Sequence, residues 1–394
     1  MSGSCELHVA ALPFPSYQGT QAALRQMLDA RHAAGRDVEL FTYGVSGYAL
    51  VPPYPWHRTR RLAGVSLRSG PSWAKLALDA RMGAQLLTLT RRAQPRVLIA
   101  HHVEAMSLAC LIRGVPRVFF AHTDLAAELP SYAAAWCSAP LAAAGGVLDR
   151  TLCTSADAIA AISPALAQQL AAASGKPVQY VPTPWPLPEP TRAGERAAAR
   201  RELGLPADVP VALYAGNLDA YQDAHSVLDA LQLLAAEHGP RVCLLLATRS
   251  EPQAFLRRAF QLGVPVRTRE LGAEPVRRLL HAAADCAVVP RAVPGGLPMK
   301  LLDALARGVP CALMPCASAG LPLTGCAIEA ERATAGGLAA AVARVLAATP
   351  ERRALAERAR AYIAAEHSAE RHGRALDALI ARACHKNVAA GSRL

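Results

Sequence analysis

The run Gly295-Gly296-Leu297-Pro298-Met299-Lys300-Leu301-Leu302-Asp303, continuing through Arg307-Gly308-Val309-Pro310, reads as a glycine loop that opens directly into a short helix. Pro298 suits the first helical turn, where its missing N–H loses no partner, and Gly308 suits a left-handed stop. Such a helix start aims unpaired backbone N–H groups and a partial positive charge at whatever lies over the loop. Bare glycines let an anion come close. Lys300 and Asp303 stand three apart and are expected on one helical face. A cation near the helix start and a carboxylate one turn further in suit a diphosphate joined to a ribose. A plain amphipathic helix with a solvated Lys–Asp pair is the simpler alternative, because glycine loops open many helices.

Functional residues of parallel sheets gather at the carboxyl ends of strands, and three expected strand ends in the first half carry polar groups. The first strand runs into Phe14-Pro15-Ser16-Tyr17-Gln18-Gly19-Thr20. There Thr20 is expected to cap the next helix, and the Gly19 N–H to meet a phosphate or sugar oxygen. The strand Val97–Ala100 ends in His101-His102, and Val118–Ala121 ends in His122-Thr123-Asp124. One strand-end histidine is usually an ordinary edge residue. Two on one edge point to imidazoles that hydrogen-bond a sugar hydroxyl or a carbonyl. Their spacing fits no metal motif and the chain has no Asp-x-Asp, so neither a metal nor another cofactor is expected.

These groups need a scaffold of parallel sheets. At 394 residues the chain exceeds one ordinary core, and short apolar runs alternate with helical patterns throughout, the signature of an α/β fold with crossover helices. Strands are expected over Leu7–Leu12, Val38–Tyr43, Val97–Ala100, Val118–Ala121, Ala158–Ile162 and Val178–Val181, with helices over Thr20–Ala34 and Ser72–Arg92. Five prolines between Pro182 and Pro190 make a stiff connection without regular structure. Beyond it the pattern restarts, with strands over Val211–Ala215, Val242–Ala247, Val266–Arg269, Ala287–Val289 and Cys311–Met314 and a helix-rich end over Gly337–Cys384. The expected division is a first domain over 1–181, a hinge over 182–192 and a second domain over 193–365. A helix over 366–384 would return to the first domain, leaving a frayed tail over 385–394. Two similar halves on a hinge put the working cleft between them.

The formal charge is +12, divided as +6 on each side of residue 186, so no single basic tail marks a nucleic-acid binder. The cluster His57-Arg58-Thr59-Arg60-Arg61, followed by Arg68, is the exception and suits peripheral contact with an anionic membrane; a solvated arginine-rich loop is the plainer alternative. Ten scattered cysteines without a CxxC pair read as reduced packing residues. No basic n-region opens the chain, and the longest uncharged stretch, Gly308 to Ile328, is broken by three prolines. A cytoplasmic protein, at most peripheral at the inner face of the membrane, is the expectation.

Taken in order, these segments resemble the retaining glycosyltransferases of the two-domain GT-B fold, specifically glycosyltransferase family 4. Pro15 to Thr20 resembles the family's N-terminal glycine loop beside donor and acceptor, and Val118 to Thr123 the strand and histidine that reach the transferred sugar. Ala156 to Ser163 is similar to the last N-domain strand before the hinge. Tyr214-Ala215-Gly216-Asn217-Leu218 is similar to the first C-domain strand and its donor-phosphate loop, and Gly295 to Pro310 to the donor helix, with Asp303 where the ribose-binding glutamate stands. The resemblance implies transfer of a sugar from a nucleoside diphosphate sugar to a hydroxyl. His122 and Lys300 would act at the reaction centre. Gly19, Gly216, Asn217, Arg249, Arg291, Gly295, Gly296, Leu297 and Asp303 would hold the donor, and Tyr17, Gln18, Thr20 and His102 would face the acceptor. In membrane-associated members the N-domain meets the bilayer, which makes a lipid or cell-envelope acceptor the leading expectation.

Three departures accompany the match. The first of the family's two acidic residues is Gly295, the usual arginine is Asn217, and the following Lys-Gly pair is replaced within Tyr221-Gln222-Asp223. The phosphate cation must then be Lys300, Arg249 or Arg291, with Lys300 first by its helix position. A GT-B epimerase or hydrolase using Glu104, Asp124 or Glu128, and a degenerate nucleotide-sugar-binding subunit, are the rival readings.

Overall fold

The computed structural model describes residues 5–45, 51–60, 73–132, 135–192, 194–237, 241–291, 293–347 and 349–391. Two compact units emerge, residues 1–184 with 369–394, and residues 185–368.

In the first unit seven parallel strands run β1 (Glu6–Pro13), β2 (Val38–Tyr43), β3 (Trp56–Arg58), β4 (Val97–His101), β5 (Arg117–Ala121), β6 (Ala158–Ala161) and β7 (Val178–Tyr180), in the order β3-β2-β1-β4-β5-β6-β7. The interior of β1, β4 and β5 is buried on both faces. That is why these strands read as continuous apolar runs instead of alternating. Helix Gly19–Ala33 follows β1 and stops where Gly35 turns left-handed at φ 74°. Thr20, expected to cap it, lies inside the helix; Gln18 occupies the cap position without a capping side chain. β3 was not foreseen: three residues with Trp56 and two polar neighbours give too short a pattern.

The long helix Ala369–Gly391 belongs to this same unit. His372 Nδ1 donates to the Pro182 carbonyl at 2.9 Å, Gln179 Nε2 to the Ala375 carbonyl at 3.0 Å, and Arg31 pairs with Asp377 at 2.8 Å. The helix continues to Gly391, past the point where fraying was expected.

The second unit carries six parallel strands, β8 (Val211–Ala215), β9 (Cys243–Ala247), β10 (Val266–Arg269), β11 (Cys286–Val289), β12 (Cys311–Leu313) and β13 (Ile328–Glu329), ordered β10-β9-β8-β11-β12-β13. Its core joins Tyr214, Leu244, Leu246 and Val288 to Val227, Leu231, Leu338 and Val342 of the covering helices. β13 escaped the sequence reading because it has two residues only. All ten cysteines are unpaired. Among the described residues no helix is long and apolar enough to cross a membrane.

Candidate active site

The glycine loop and helix of the second unit form as expected in outline. Helix Met299–Ala306 starts after Gly295 and Gly296 and ends before Gly308, whose φ of 68° is the left-handed stop. Pro298 is the residue before the helix, with an extended ψ of 110°, one position earlier than expected.

Lys300 projects from the first turn of this helix toward the end of β8. Its Nζ donates to Gln222 Oε1 at 2.8 Å and lies 4.2 Å from the centroid of the Tyr214 ring. A Cβ built on Gly216 would come within 2.8 Å of the same nitrogen. Burial, followed by the nearby charge of Arg291, pushes the Lys300 ammonium down to about 7. Among the described residues no carboxylate is seen paired with it, which leaves its charge available to an incoming anion. Arg291, after β11, turns its Nε onto the Val293 carbonyl at 3.0 Å and sets its guanidinium 5.8 Å from the Tyr221 ring centroid. Asn217 donates to Asp219 Oδ2 at 2.5 Å and to the Tyr221 hydroxyl at 3.3 Å, while its own buried Oδ1 has no hydrogen-bond partner. Gly216, Asn217, Arg291 and Lys300 are thus assembled around one corner. Tyr214, Tyr221 and Gln222 complete it. Gln222 was missed because it stood inside a departure from the family pattern, where a polar amide carries no distinctive signal.

Two expected donor residues are engaged elsewhere. Asp303 does not work beside Lys300: Arg307 Nε donates to its Oδ1 at 2.9 Å, Arg277 lies 3.5 Å from its Oδ2, and His281 lies 3.9 Å away. Burial raises this carboxyl's pKa, but His281, Arg277 and Arg307 outweigh it, and the net shift is downward. The arginine at i+4 holds this aspartate on its own helix face. Arg249 pairs with Glu270 at 2.9 Å and borders a cleft of about 550 Å³ with Thr248, Ser250, Pro252 and Thr268.

In the first unit the strand-end histidines do come together, with a third that the sequence reading passed over. His101 Nδ1 and His122 Nε2 are 3.0 Å apart, and His101 Nε2 and His8 Nδ1 are 2.9 Å apart. His102 takes a left-handed φ of 73°, costly for a residue with a Cβ, and its ring stacks on His122 with centroids 5.1 Å apart. Thr20 Oγ1 approaches His102 Nε2 at 3.4 Å. Tyr17 is half-buried, and Gln18 and Gly19 are exposed at the helix start. Glu104 is ion-paired to Lys75, and Asp124 is buried at the start of Leu125–Glu128. Among the described residues no group of three or more His, Cys, Asp or Glu could hold a metal ion.

The fold is that of two Rossmann-like halves, with a cationic corner at the carboxyl end of one parallel sheet and a histidine cluster near the carboxyl ends of the central strands of the other. The Glycosyl transferase 4-like domain family matches residues 18–185, and the Glycosyl transferases group 1 family matches residues 195–362. The chain belongs to the GT-B glycosyltransferases, among the family-4-like members. No curated protein matches it in sequence. Its fold is shared with sucrose-phosphate synthase from Thermosynechococcus elongatus, at 18% identity and a TM-score of 0.75 over 95% of this chain and 99% of that one. Anabaena HepE in complex with UDP and glucose matches at 15% identity and a TM-score of 0.73, over 96% and 99%. WaaG, a glycosyltransferase involved in lipopolysaccharide biosynthesis, matches at 17% and 0.71, over 95% and 99%.

Proposed function

We propose that the protein transfers a hexosyl or N-acetylhexosaminyl group from a nucleoside-diphosphate sugar to a hydroxyl acceptor, with retention of anomeric configuration. The observation that carries this reading is the Lys300 ammonium, held by Gln222 and Tyr214 against Gly216 at the start of helix Met299–Ala306 and within electrostatic reach of Arg291. As the glycosidic bond breaks, the sugar becomes oxocarbenium-like and negative charge grows on the leaving diphosphate. Lys300, Arg291 and the backbone around Gly295, Gly296 and Leu297 oppose that charge where it develops. The Anabaena neighbour's complex with UDP and glucose supports a donor of this chemistry.

In the first unit, His122 orients the transferred sugar, and Tyr17, Gln18, Gly19, Thr20 and His102 frame the acceptor side. The acceptor we infer is a lipid-linked or cell-envelope hydroxyl. Exposed Arg58 and Arg60 support it, as does the neighbour that works in lipopolysaccharide biosynthesis.

The test is a thermal-shift panel of UDP-, GDP- and ADP-sugars, followed by mass spectrometry of products and NMR of the new anomeric centre. One donor class should raise Tm and be consumed only when an acceptor is added. Turnover without any acceptor would favour an epimerase or hydrolase, and binding without transfer to any acceptor a degenerate subunit.

A further inference from the structure

His8 and His101 lie on the neighbouring strands β1 and β4, and His122 directly follows β5, so that the register and their ring contacts set the three in one row. In β1, Ala10 pairs with His101 of β4, and His101 pairs with Phe120 of β5. His8 is two residues before Ala10 and His122 two residues after Phe120, so both share the face of His101. The result is a line, His8–His101–His122, with ring nitrogens 2.9 Å and 3.0 Å apart. His8, His101 and His122 are all buried. At its two ends, His8 Nε2 and His122 Nδ1 are buried without a hydrogen-bond partner.

A neutral imidazole has one N–H and one lone pair, so the two hydrogen bonds cannot be set independently. Either every ring carries its proton on Nδ1 or every ring carries it on Nε2. The intrinsic preference of a neutral imidazole for Nε2–H selects the second arrangement. His372 donates from Nδ1 to the Pro182 carbonyl, and its buried Nε2 has no hydrogen-bond partner. Arg31 is neutralised by its pairs with Glu6 and Asp377.

We propose that His8 and His101 are positioning residues that lock His122 as the Nε2–H tautomer, so that its Nδ1 is presented to the substrate as a hydrogen-bond acceptor. His122 therefore selects a hydroxyl of the transferred sugar, and rejects a carbonyl or carboxylate at that position, which would leave two lone pairs facing each other. The substrate part of this inference rests on the transferase reading above; the tautomer part does not. Burial keeps all three rings neutral, pushing His8 down to about 3 and holding His101 and His122 well below the ordinary histidine range.

The test is 15N NMR of the imidazoles in the full-length protein without ligand. Nε2–H at His8, His101 and His122, with Nδ1–H at His372, is the expected pattern. An Nδ1–H or doubly protonated ring anywhere in the row overturns the proposal. His8→Leu should drive His122 toward Nδ1–H and lower kcat about tenfold at nearly constant donor KM, the size of one lost hydrogen bond. His8→Asn, whose Oδ1 can accept from His101 Nε2, should restore the Nε2–H pattern and most of the rate. Unchanged His122 nitrogen shifts in a folded His8→Leu protein would sink the coupling. The expected tautomers in a protein that transfers no sugar would instead count against the transferase reading and leave the row intact.

Discussion

The Lys300 ammonium fills the space that a side chain on Gly216 would need, with a Cβ there falling 2.8 Å from Nζ. Because the obstructing atom is the tip of a flexible chain, Gly216→Ala should fold, with the ammonium displaced from Gln222 and Tyr214. The expected result is a loss of roughly 10–100-fold in kcat/KM for the donor, with a lowered Tm as well, because the φ of 159° at Gly216 is one that residues with a Cβ rarely adopt. Lys300→Ala should cost more, on the order of 10²–10³ in kcat, since its charge partner grows in the transition state. Wild-type rates in both variants would remove Lys300 from the reaction centre.

Burial and Arg291 place the Lys300 ammonium near 7, which makes it a titrating group in the working range. Its charged form exists below that value. In the free enzyme, kcat/KM for the donor should therefore rise as pH falls through about 7, and nucleotide binding at pH 8 should take up a proton, seen as a buffer-dependent binding enthalpy. Stability runs the other way. Between about 10.5 and about 7 the unfolded chain holds a proton that the folded one lacks, so the penalty grows as pH falls and is complete below about 7. Lys300→Met should raise Tm near pH 7, and the gain should shrink toward pH 10. A gain independent of pH would mean that Lys300 is not depressed.

Asp303 sits in a buried cluster with Arg307, Arg277 and His281. Removing one partner of a buried pair typically costs ~3 kcal/mol or more, because the remaining charges stay desolvated. Asp303→Ala should thus lower Tm strongly. As its folded pKa is depressed, this stabilisation is present above the unfolded carboxyl value of 3.8 and is lost as pH falls through the folded value. Calorimetry separates this from a ribose role. Nucleotide affinity falling by about 1.5–3 kcal/mol with Tm preserved would restore the hydrogen-bond assignment.

What the chain showed in advance follows from which forces are local. Val38–Tyr43, Val211–Ala215 and Val266–Arg269 were placed to the residue, because turn residues bound short apolar or β-branched runs. β3 and β13 are edge strands of three and two residues, defined by a neighbour and not by their own pattern. The cationic corner was legible through Lys300 and Gly216, yet Gln222 was not, since its role depends on a partner 78 positions away. His8 lay hidden in an apolar run; only the β1–β4–β5 register reveals that it faces His101. For Asp303 the spacing from Lys300 is visible in the sequence, whereas its pairing with the arginine at i+4 is visible only in the structure.

In the proposed reaction Lys300 and Arg291 take the place of the divalent ion that enzymes with an Asp-x-Asp clamp use. Transfer should then persist in EDTA with little loss of kcat. Complete inactivation by the chelator, reversed by Mn²⁺ or Mg²⁺, would refute this electrostatic account and require ligands outside the described residues.

The membrane expectation concerns the segment from His57 to Arg68, of which residues 61–72 lie outside the described ones. Within the described part, His57 is hydrogen-bonded to Glu39 at 2.7 Å, and Arg58 lies over the Trp56 ring at 4.6 Å. Both contacts moderate the attraction without abolishing it: His57 is engaged by Glu39, whereas Arg58 and Arg60 remain exposed. Each cation near an anionic leaflet contributes about 1 kcal/mol, so the proposed membrane contact predicts reversible binding of about 3 kcal/mol from Arg58, Arg60 and Arg61 together. In vesicle sedimentation, the bound fraction should rise with phosphatidylserine content and fall with salt, because the attraction decays within a Debye length. The triple variant Arg58→Ala, Arg60→Ala, Arg61→Ala should stay in the supernatant while keeping transfer to a soluble acceptor analogue. Equal recovery of the wild type from neutral and anionic vesicles at low salt would end the membrane proposal and shift the search to soluble acceptors.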